Sequence, residues 1–211
     1  MGFWLSSLTV FMLSYLAGSV PWGFVIGRFK GLDIRNHGSG NIGATNVRRV
    51  LGRDWGAVCL ALDFLKGLLP VLLIGAKLGA GMSLSPEWGK ILAAAGAVGG
   101  HVWPVWLGFK GGKGVATTVG ALLAVSWVAV AIGMGTWLVV YSLTHYVSAA
   151  SLCAAVMLPV GYVISGVIRH HAIFTPSLGL LVVLAALIIF RHRSNIQRLR
   201  EGTEFRFGPA Q

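Results

Sequence analysis

Apolar residues in this chain come in long unbroken runs. They show neither the one-sided stripe of a surface helix nor the strict alternation of a half-buried strand. Between Gly114 and Ile168, a run of 55 residues, there is no Asp, Glu, Lys or Arg, and His145 is the only side chain that titrates near neutral pH. One helix crosses a bilayer with about 20 residues, so this run is long enough for two or three. Membrane β-barrel strands would alternate polar and apolar positions. The runs therefore predict an all-α, polytopic membrane protein. Spans are expected near 3–27, 55–78, 91–107, 115–132, 134–147, 150–168 and 174–190, seven in all. The long uncharged run is expected to break at Gly133–Gly135 and again at His145–Ser148. Five crossings remain possible if two pairs of segments are re-entrant.

Charge gives this pattern a direction. Thirteen of the 17 Lys and Arg residues fall in three short stretches. The first holds Arg28, Lys30, Arg35, Arg48, Arg49 and Arg53, the second Lys110 and Lys113, the third Arg191, Arg193, Arg198, Arg200 and Arg206. Basic residues favour the cytoplasmic side of short loops. Placing all three stretches there puts the N-terminus outside and the C-terminus in the cytoplasm, and requires an odd number of spans. The first apolar run has no basic segment before it, which argues against a cleaved signal peptide.

Composition agrees. Only 11% of the residues are charged and 55% are hydrophobic, with a mean hydropathy of +0.77; soluble domains average about 25% charged. The net charge of +11 could suit nucleic acid. However, the basic residues flank apolar spans, so membrane lipid and small anionic substrates are the expected partners. Cys59 and Cys153 lie in apolar stretches, read as small buried hydrophobes, and no disulfide, zinc or redox motif is present. There is no internal repeat or linker, so residues 1–211 are expected to form one domain.

Each basic stretch carries more than charge. Residues 38–49 read Gly-Ser-Gly-Asn-Ile-Gly-Ala-Thr-Asn-Val-Arg-Arg. Small residues let backbone amides approach an anion, and Ser39, Asn41, Thr45 and Asn46 add donors. Arg49 or Arg48 can give a phosphate two parallel hydrogen bonds. A solvated polar loop would read the same way. Residues 108–117 read Gly-Phe-Lys-Gly-Gly-Lys-Gly-Val-Ala-Thr and open a helix. Amides at a helix N-terminus beside Lys113 suit an anion, with Gly111, Gly112 and Gly114 allowing close approach and Thr117 adding a hydroxyl. It is not a Walker A loop, because Gly114 stands where a Ser or Thr would hold Mg²⁺. In the tail, His192 and Asn195 are three apart and share a helix face.

Other polar residues read differently. Asp63 and Lys66 sit within the second span, where ionised groups need a partner, and are read as a structural pair. His101 is assigned a structural hydrogen bond, and His170 and His171 no role. The chain lacks the His-x4-Asp motif of common acyltransferases, and it lacks H-E-x-x-H and G-x-S-x-G. No activated Ser or Cys nucleophile is visible.

Taken together, Ser39–Arg49, Gly108–Thr117 and Arg191–Glu204 resemble the three signature loops of the bacterial acyl-phosphate:glycerol-3-phosphate acyltransferases, the PlsY type. Ser19–Gly23 and Leu62–Gly67 also resemble segments of that family. The resemblance runs nearly end to end. It implies a seven-helix enzyme of the bacterial inner membrane with its active site on the cytoplasmic side and no cofactor. Such an enzyme transfers a fatty acyl chain from acyl phosphate to glycerol 3-phosphate, giving 1-acylglycerol 3-phosphate and inorganic phosphate, the first membrane step of phospholipid synthesis. Ser39, Arg49, Lys113, His192 and Asn195 are the expected catalytic residues. Asn41, Thr45, Asn46, Gly111, Gly112, Gly114 and Thr117 are expected to bind substrate. The base is either His192 or a phosphate of bound substrate. A transporter of a phosphorylated metabolite is the main alternative, and a non-catalytic lipid-binding scaffold the third. A carrier would place its site near the midplane, whereas these polar stretches crowd the ends of spans.

Overall fold

A computed structural model describes residues 2–170 and 172–207; His171 lies outside them. Among the described residues the secondary structure is entirely helical. The chain divides into two compact units, Met1–Val125 and Ser126–Gln211.

In the first unit, α1 (Phe3–Gly18) and α2 (Trp22–Phe29) are joined through a break at Pro21. The short α3 (Ala44–Leu51) follows a polar loop. Then α4 (Arg53–Leu69) runs on through a π-helical segment, Pro70–Leu78, to Gly81. Pro70 has no N–H to donate, so the ladder widens there rather than continuing in α-register. Next come α5 (Pro86–Val102), capped by the Ser85 hydroxyl, and α6 (Val115–Leu123).

Packing in this unit is inside-out. The buried face of α1 is Ser6, Val10, Ser14 and Gly18, spaced four apart, while Leu5, Leu8 and Leu16 are exposed. Small residues let helix backbones approach when lipid offers no hydrophobic drive to bury large ones. Gly96 and Gly100 of α5 lie on the carbonyls of Phe11 and Tyr15, and Gly18 lies on the backbone of Ala97. Gly67 and Gly120 seat α4 on α6 in the same way, against Thr117 and Phe64. A methyl group at any of these positions would collide with backbone.

The second unit holds α7 (Trp127–Thr144), α8 (Val147–Arg169), α9 (Pro176–Arg191) and α10 (Arg193–Arg200). The expected break at Gly133–Gly135 does not occur. Helix α7 runs through both glycines, and the chain breaks at Ala124–Ser126, where the Ser126 hydroxyl accepts the Ala129 N–H at 3.4 Å. Gly133 is a packing residue, seated against Leu158 of α8. The break near 145 is observed: His145, with φ 59°, ends α7, and α8 begins two residues later.

Among the described residues, four stretches are long and apolar enough to cross a membrane: Phe3–Phe29, Arg53–Gly81, Trp127–Thr144 and Val147–Arg169. Helices α9 and α10, bent by 54° between them, make a fifth when taken together. Helix α5 has 17 residues and α6 only nine. At 1.5 Å per residue these reach about 25 and about 14 Å, against a hydrocarbon core of about 30 Å.

Candidate functional site

The first polar loop is built around one side chain. Asn46, in the first turn of α3, is 1% exposed. Its amide nitrogen reaches the carbonyls of Ile34, His37 and Asn41 at 3.2, 3.0 and 2.9 Å. Its carbonyl oxygen accepts the Ser39 N–H at 2.8 Å and an Arg49 guanidinium nitrogen at 3.3 Å. Gly38 permits this: its φ is +59°, and a Cβ there would strike the Asn46 oxygen. Asn41 closes the turn into α3 by accepting the Gly43 N–H at 2.8 Å. Asn46, expected to bind substrate, is thus the organiser of the loop, because protein partners engage both ends of its amide. Ser39 is left at the surface, and Thr45 and Arg49 are half-buried beside it. Arg48 turns the other way and packs against Gly56.

Before this loop, Asp33 caps the turn Ile34–Asn36 and takes two hydrogen bonds from the Arg35 side chain, at 2.9 and 2.6 Å. That pairing, opposed by some desolvation, pulls the Asp33 carboxyl down to about 2. Arg28, 3.6 Å away, adds to it. The positive charge of Arg28 and Arg35 is therefore partly neutralised in place.

The second loop folds back on the helix before it. The Gly111 N–H donates to the Val102 carbonyl at 3.2 Å and the Gly112 N–H to the His101 carbonyl at 3.1 Å. These amides cap α5, so the contribution of both glycines to the loop is its tight course. Lys113 comes next, half-buried. Gly114, in the left-handed region at φ +83°, then turns the chain into α6, and its carbonyl accepts the Thr118 N–H at 2.8 Å. A non-glycine residue is strained in that conformation. The first-turn amides of α6 follow Lys113 directly, which puts the positive end of a helix beside a cation. Thr117, expected to contact substrate, is fully buried with its carbonyl against Gly67. It is a helix-packing position.

Under this loop lies a buried charged group. The Lys66 ammonium sits 2.9 Å from Asp63 and donates to the Val20 carbonyl at 2.7 Å. Asp63 also lies 3.7 Å from the His101 Nδ1, and the His101 ring packs on Gly112. The expected Asp63–Lys66 pair is observed, and His101 joins it. Lys66 also lines an apolar groove of about 360 Å³ formed by Ala17, Trp22, Leu62, Leu69, Leu73 and neighbours.

In the second unit, His192 is 3% exposed, and its Nδ1 lies 2.8 Å from the Ile188 carbonyl. A carbonyl can only accept, so Nδ1 carries the proton in the neutral ring and Nε2 is the basic nitrogen. Asn195 donates to Glu204 at 2.6 Å, and the same carboxylate takes the Arg198 Nε at 2.8 Å. Burial pushes the Glu204 carboxyl up, but hydrogen bonds from Asn195, Ser148 and Arg198 outweigh it and hold it below the ordinary range. The Phe207 N–H, bonded to the His145 carbonyl at 3.0 Å, ties the tail back to the end of α7. Glu204 stands in the tail motif, and its contacts with Asn195 and Arg198 emerge only from the fold. Among the described residues no group of three or more His, Cys, Asp and Glu could hold a metal ion.

The model of one protein family, glycerol-3-phosphate acyltransferase, matches residues 8–202. A glycerol-3-phosphate acyltransferase of Desulforudis audaxviator is 45% identical over 204 residues, covering 96% of each chain. That of Geobacter sulfurreducens is 43% identical over 203 residues, 96% of this chain and 98% of the other. That of Aquifex aeolicus is 40% identical over 203 residues, 96% of this chain and all of the other. Two crystal structures of PlsY (YgiH), described as an integral membrane glycerol 3-phosphate acyltransferase, share the fold. The glycerol 3-phosphate form has a TM-score of 0.83 at 41% identity, and the lysophosphatidic acid form 0.82 at 40%, each covering 96% of both chains. The chain is an all-helical membrane protein and belongs to the glycerol-3-phosphate acyltransferase family.

Proposed function

We propose that the protein transfers a fatty acyl chain from acyl phosphate to glycerol 3-phosphate. A glycerol hydroxyl attacks the acyl carbonyl carbon, and the bond to the phosphate oxygen breaks. The products are 1-acylglycerol 3-phosphate and inorganic phosphate. The hydroxyl proton passes either to His192 Nε2 or to a phosphate oxygen of bound substrate. Acyl phosphate is already an activated anhydride, so the protein has to orient two substrates and stabilise charge that develops on the carbonyl oxygen. Ser39, Asn41, Thr45 and Arg49 in the first loop and Lys113 in the second are assigned to the phosphates. The family resemblance assigns His192 and Asn195 to the same reaction, and Glu204 holds the Asn195 amide.

One observation carries this reading. Within the first unit, a chain of buried side chains connects the apolar groove to the glycine loop. Lys66 lines the groove, and Lys66–Asp63–His101 leads by direct contacts to Gly112. A molecule with a fatty tail and a phosphate head fits that combination. The tail would occupy the groove and the head the loop beside Lys113. Of the two cysteines, Cys59 is buried as expected, whereas Cys153 is exposed.

The chain is assigned to the bacterial inner membrane, with seven crossings, the N-terminus outside and the three basic stretches cytoplasmic. The parity of those stretches supports this threading. Helix α6 crosses in it as a short limb that needs local thinning of the bilayer.

Purified protein given glycerol 3-phosphate with acyl phosphate, acyl-CoA or acyl carrier protein, one donor at a time, tests the reading. Lysophosphatidate and phosphate are expected only with acyl phosphate. Product from acyl-CoA instead would overturn the donor assignment. No product from any donor would return the transporter reading, which glycerol 3-phosphate uptake into liposomes then decides.

A further inference from the structure

Asp63 is 2% exposed in the middle of α4, too deep to face a phosphate in the loops, and a buried carboxylate is costly unless it holds something in place. What it holds lies on both sides of it. One carboxylate oxygen meets the Lys66 ammonium at 2.9 Å and the His101 Nδ1 at 3.7 Å. The other receives the Cys59 thiol at 3.7 Å. Each partner reaches backbone of a functional segment. Lys66 donates to the carbonyl of Val20, at the elbow between α1 and α2. Cys59 lies 4.0 Å from the carbonyl of Ile42, inside the first polar loop. His101 packs its ring on Gly112 and accepts that residue's N–H with its own carbonyl, inside the second.

We propose that Asp63 is a positioning residue for the acyl transfer, the buried hub that sets the spacing between the Ser39–Arg49 loop and the Gly111–Lys113 loop. The proposal rests on the acyltransferase reading and adds to it a group that touches neither substrate. Two phosphates must be held in one register for the hydroxyl to meet the carbonyl, and an error of about 1 Å in such a register can cost on the order of 100-fold in rate. A charged node that contacts α4, α5 and the backbone of both loops holds that register.

The test uses the full-length protein. Asp63→Asn alone leaves the Lys66 ammonium buried and unpaired, which invites unfolding. The working variant is therefore the neutral pair Asp63→Asn with Lys66→Met. Two readouts are taken. In the first, kcat/KM is compared for wild type, the neutral pair, Gly112→Ala, and all three changes together. Gly112→Ala pushes the loop off the His101 ring. If Asp63 works through that contact, the neutral pair lowers kcat/KM by about 30- to 100-fold in the wild-type loop but by less than about threefold in the Gly112→Ala background. Equal losses in both backgrounds, or no loss in the first, overturn the proposal. The second readout needs no turnover. Amide hydrogen exchange over residues 38–49 and 108–117 should speed at least tenfold in the neutral pair, with exchange in the middle of α7 and α8 unchanged. Unaltered exchange in both loops overturns the proposal even if the wild type proves to have no acyl-transfer activity, whereas a wild type that makes no lysophosphatidate from acyl phosphate defeats only the acyltransferase reading.

Discussion

Replacing Asn46 isolates the first loop's geometry from its chemistry. The side chain has two N–H protons shared among three carbonyls and one oxygen that serves Ser39 and Arg49. Asn46→Ala removes all of these. The Ser39 N–H can turn to water, since Ser39 is exposed. The carbonyl of Ile34 cannot, because that hydrogen bond is buried. Two donated bonds at about 1 kcal/mol each, plus a penalty of about 1 kcal/mol for one unsatisfied carbonyl, come to about 3 kcal/mol of lost loop ordering. If the ordered loop is the competent one, activity falls with its population. About 1.4 kcal/mol per tenfold then sets the drop in kcat/KM at up to roughly 100-fold. Asn46→Asp keeps the acceptor for Ser39 and Arg49 but sets a carboxylate oxygen against three carbonyls. It should therefore be at least as damaging as the alanine, and should recover partly at acid pH, where a protonated carboxyl can donate. Lysophosphatidate formation from acyl phosphate measures both variants, with gel filtration and thermal melting to show that the bundle is intact. Near wild-type kcat/KM in Asn46→Ala, within about threefold, would refute the reading of this residue as the organiser.

Three further outcomes are expected. Lys113→Ala should lower turnover by about 100-fold or more, since it removes the cation at the start of α6; turnover near wild type would exclude the second loop from phosphate binding. His192→Gln should remove one limb of the pH–rate profile if Nε2 takes the hydroxyl proton, while an unchanged profile passes that role to substrate phosphate. Glu204 is held below its ordinary value by Asn195, Ser148 and Arg198 against the opposing effect of burial. Its contribution to tail docking is therefore present above the usual Glu range, about 4.3, and disappears as pH falls through the lowered value. Limited proteolysis of the tail from pH 7 down to pH 3 should show release at the acid end in the wild type. Glu204→Gln should be cleaved at every pH; a tail as protected as wild type would contradict the docking role.

Element type was legible because apolar runs of this length admit few alternatives, but element ends were not. Gly133 and Gly135 read as breakers, since glycine ends helices in water. In lipid the backbone must keep its hydrogen bonds, so a helix continues through glycine and uses it as a packing surface. Gly133 against Leu158 is an instance. The real break carries a quieter signal, a Ser at an N-cap ahead of Trp127. Nor can a run of hydrophobic residues reveal that α6 is only nine residues long. That is set by where Gly114 and Ser126 turn the chain.

The candidate site residues stand out in the sequence by type and position, and the structure divides them by burial, a line that sequence does not draw. Ser39 is exposed, and Arg49 and Lys113 are half-buried. Asn46 and Thr117 stand in the same motifs and are almost fully buried, as are Asp63 and His101 in the neighbouring helices. In a phosphate loop a polar side chain can serve by meeting the ligand or by replacing the hydrogen bonds that a chain without regular structure leaves unmade. Both uses call for small, polar or glycine residues at fixed spacing, so one motif contains both. Burial separates Asn46, whose amide is engaged at both ends by protein, from Ser39, Thr45 and Arg49, which stay exposed or half-buried. On that criterion the first loop offers Ser39, Asn41, Thr45 and Arg49 to the proposed phosphate site on a frame built by Asn46 and Gly38. The second presents Lys113 and the start of α6 on a frame built by Gly111, Gly112 and Gly114, with Asp63 beneath both.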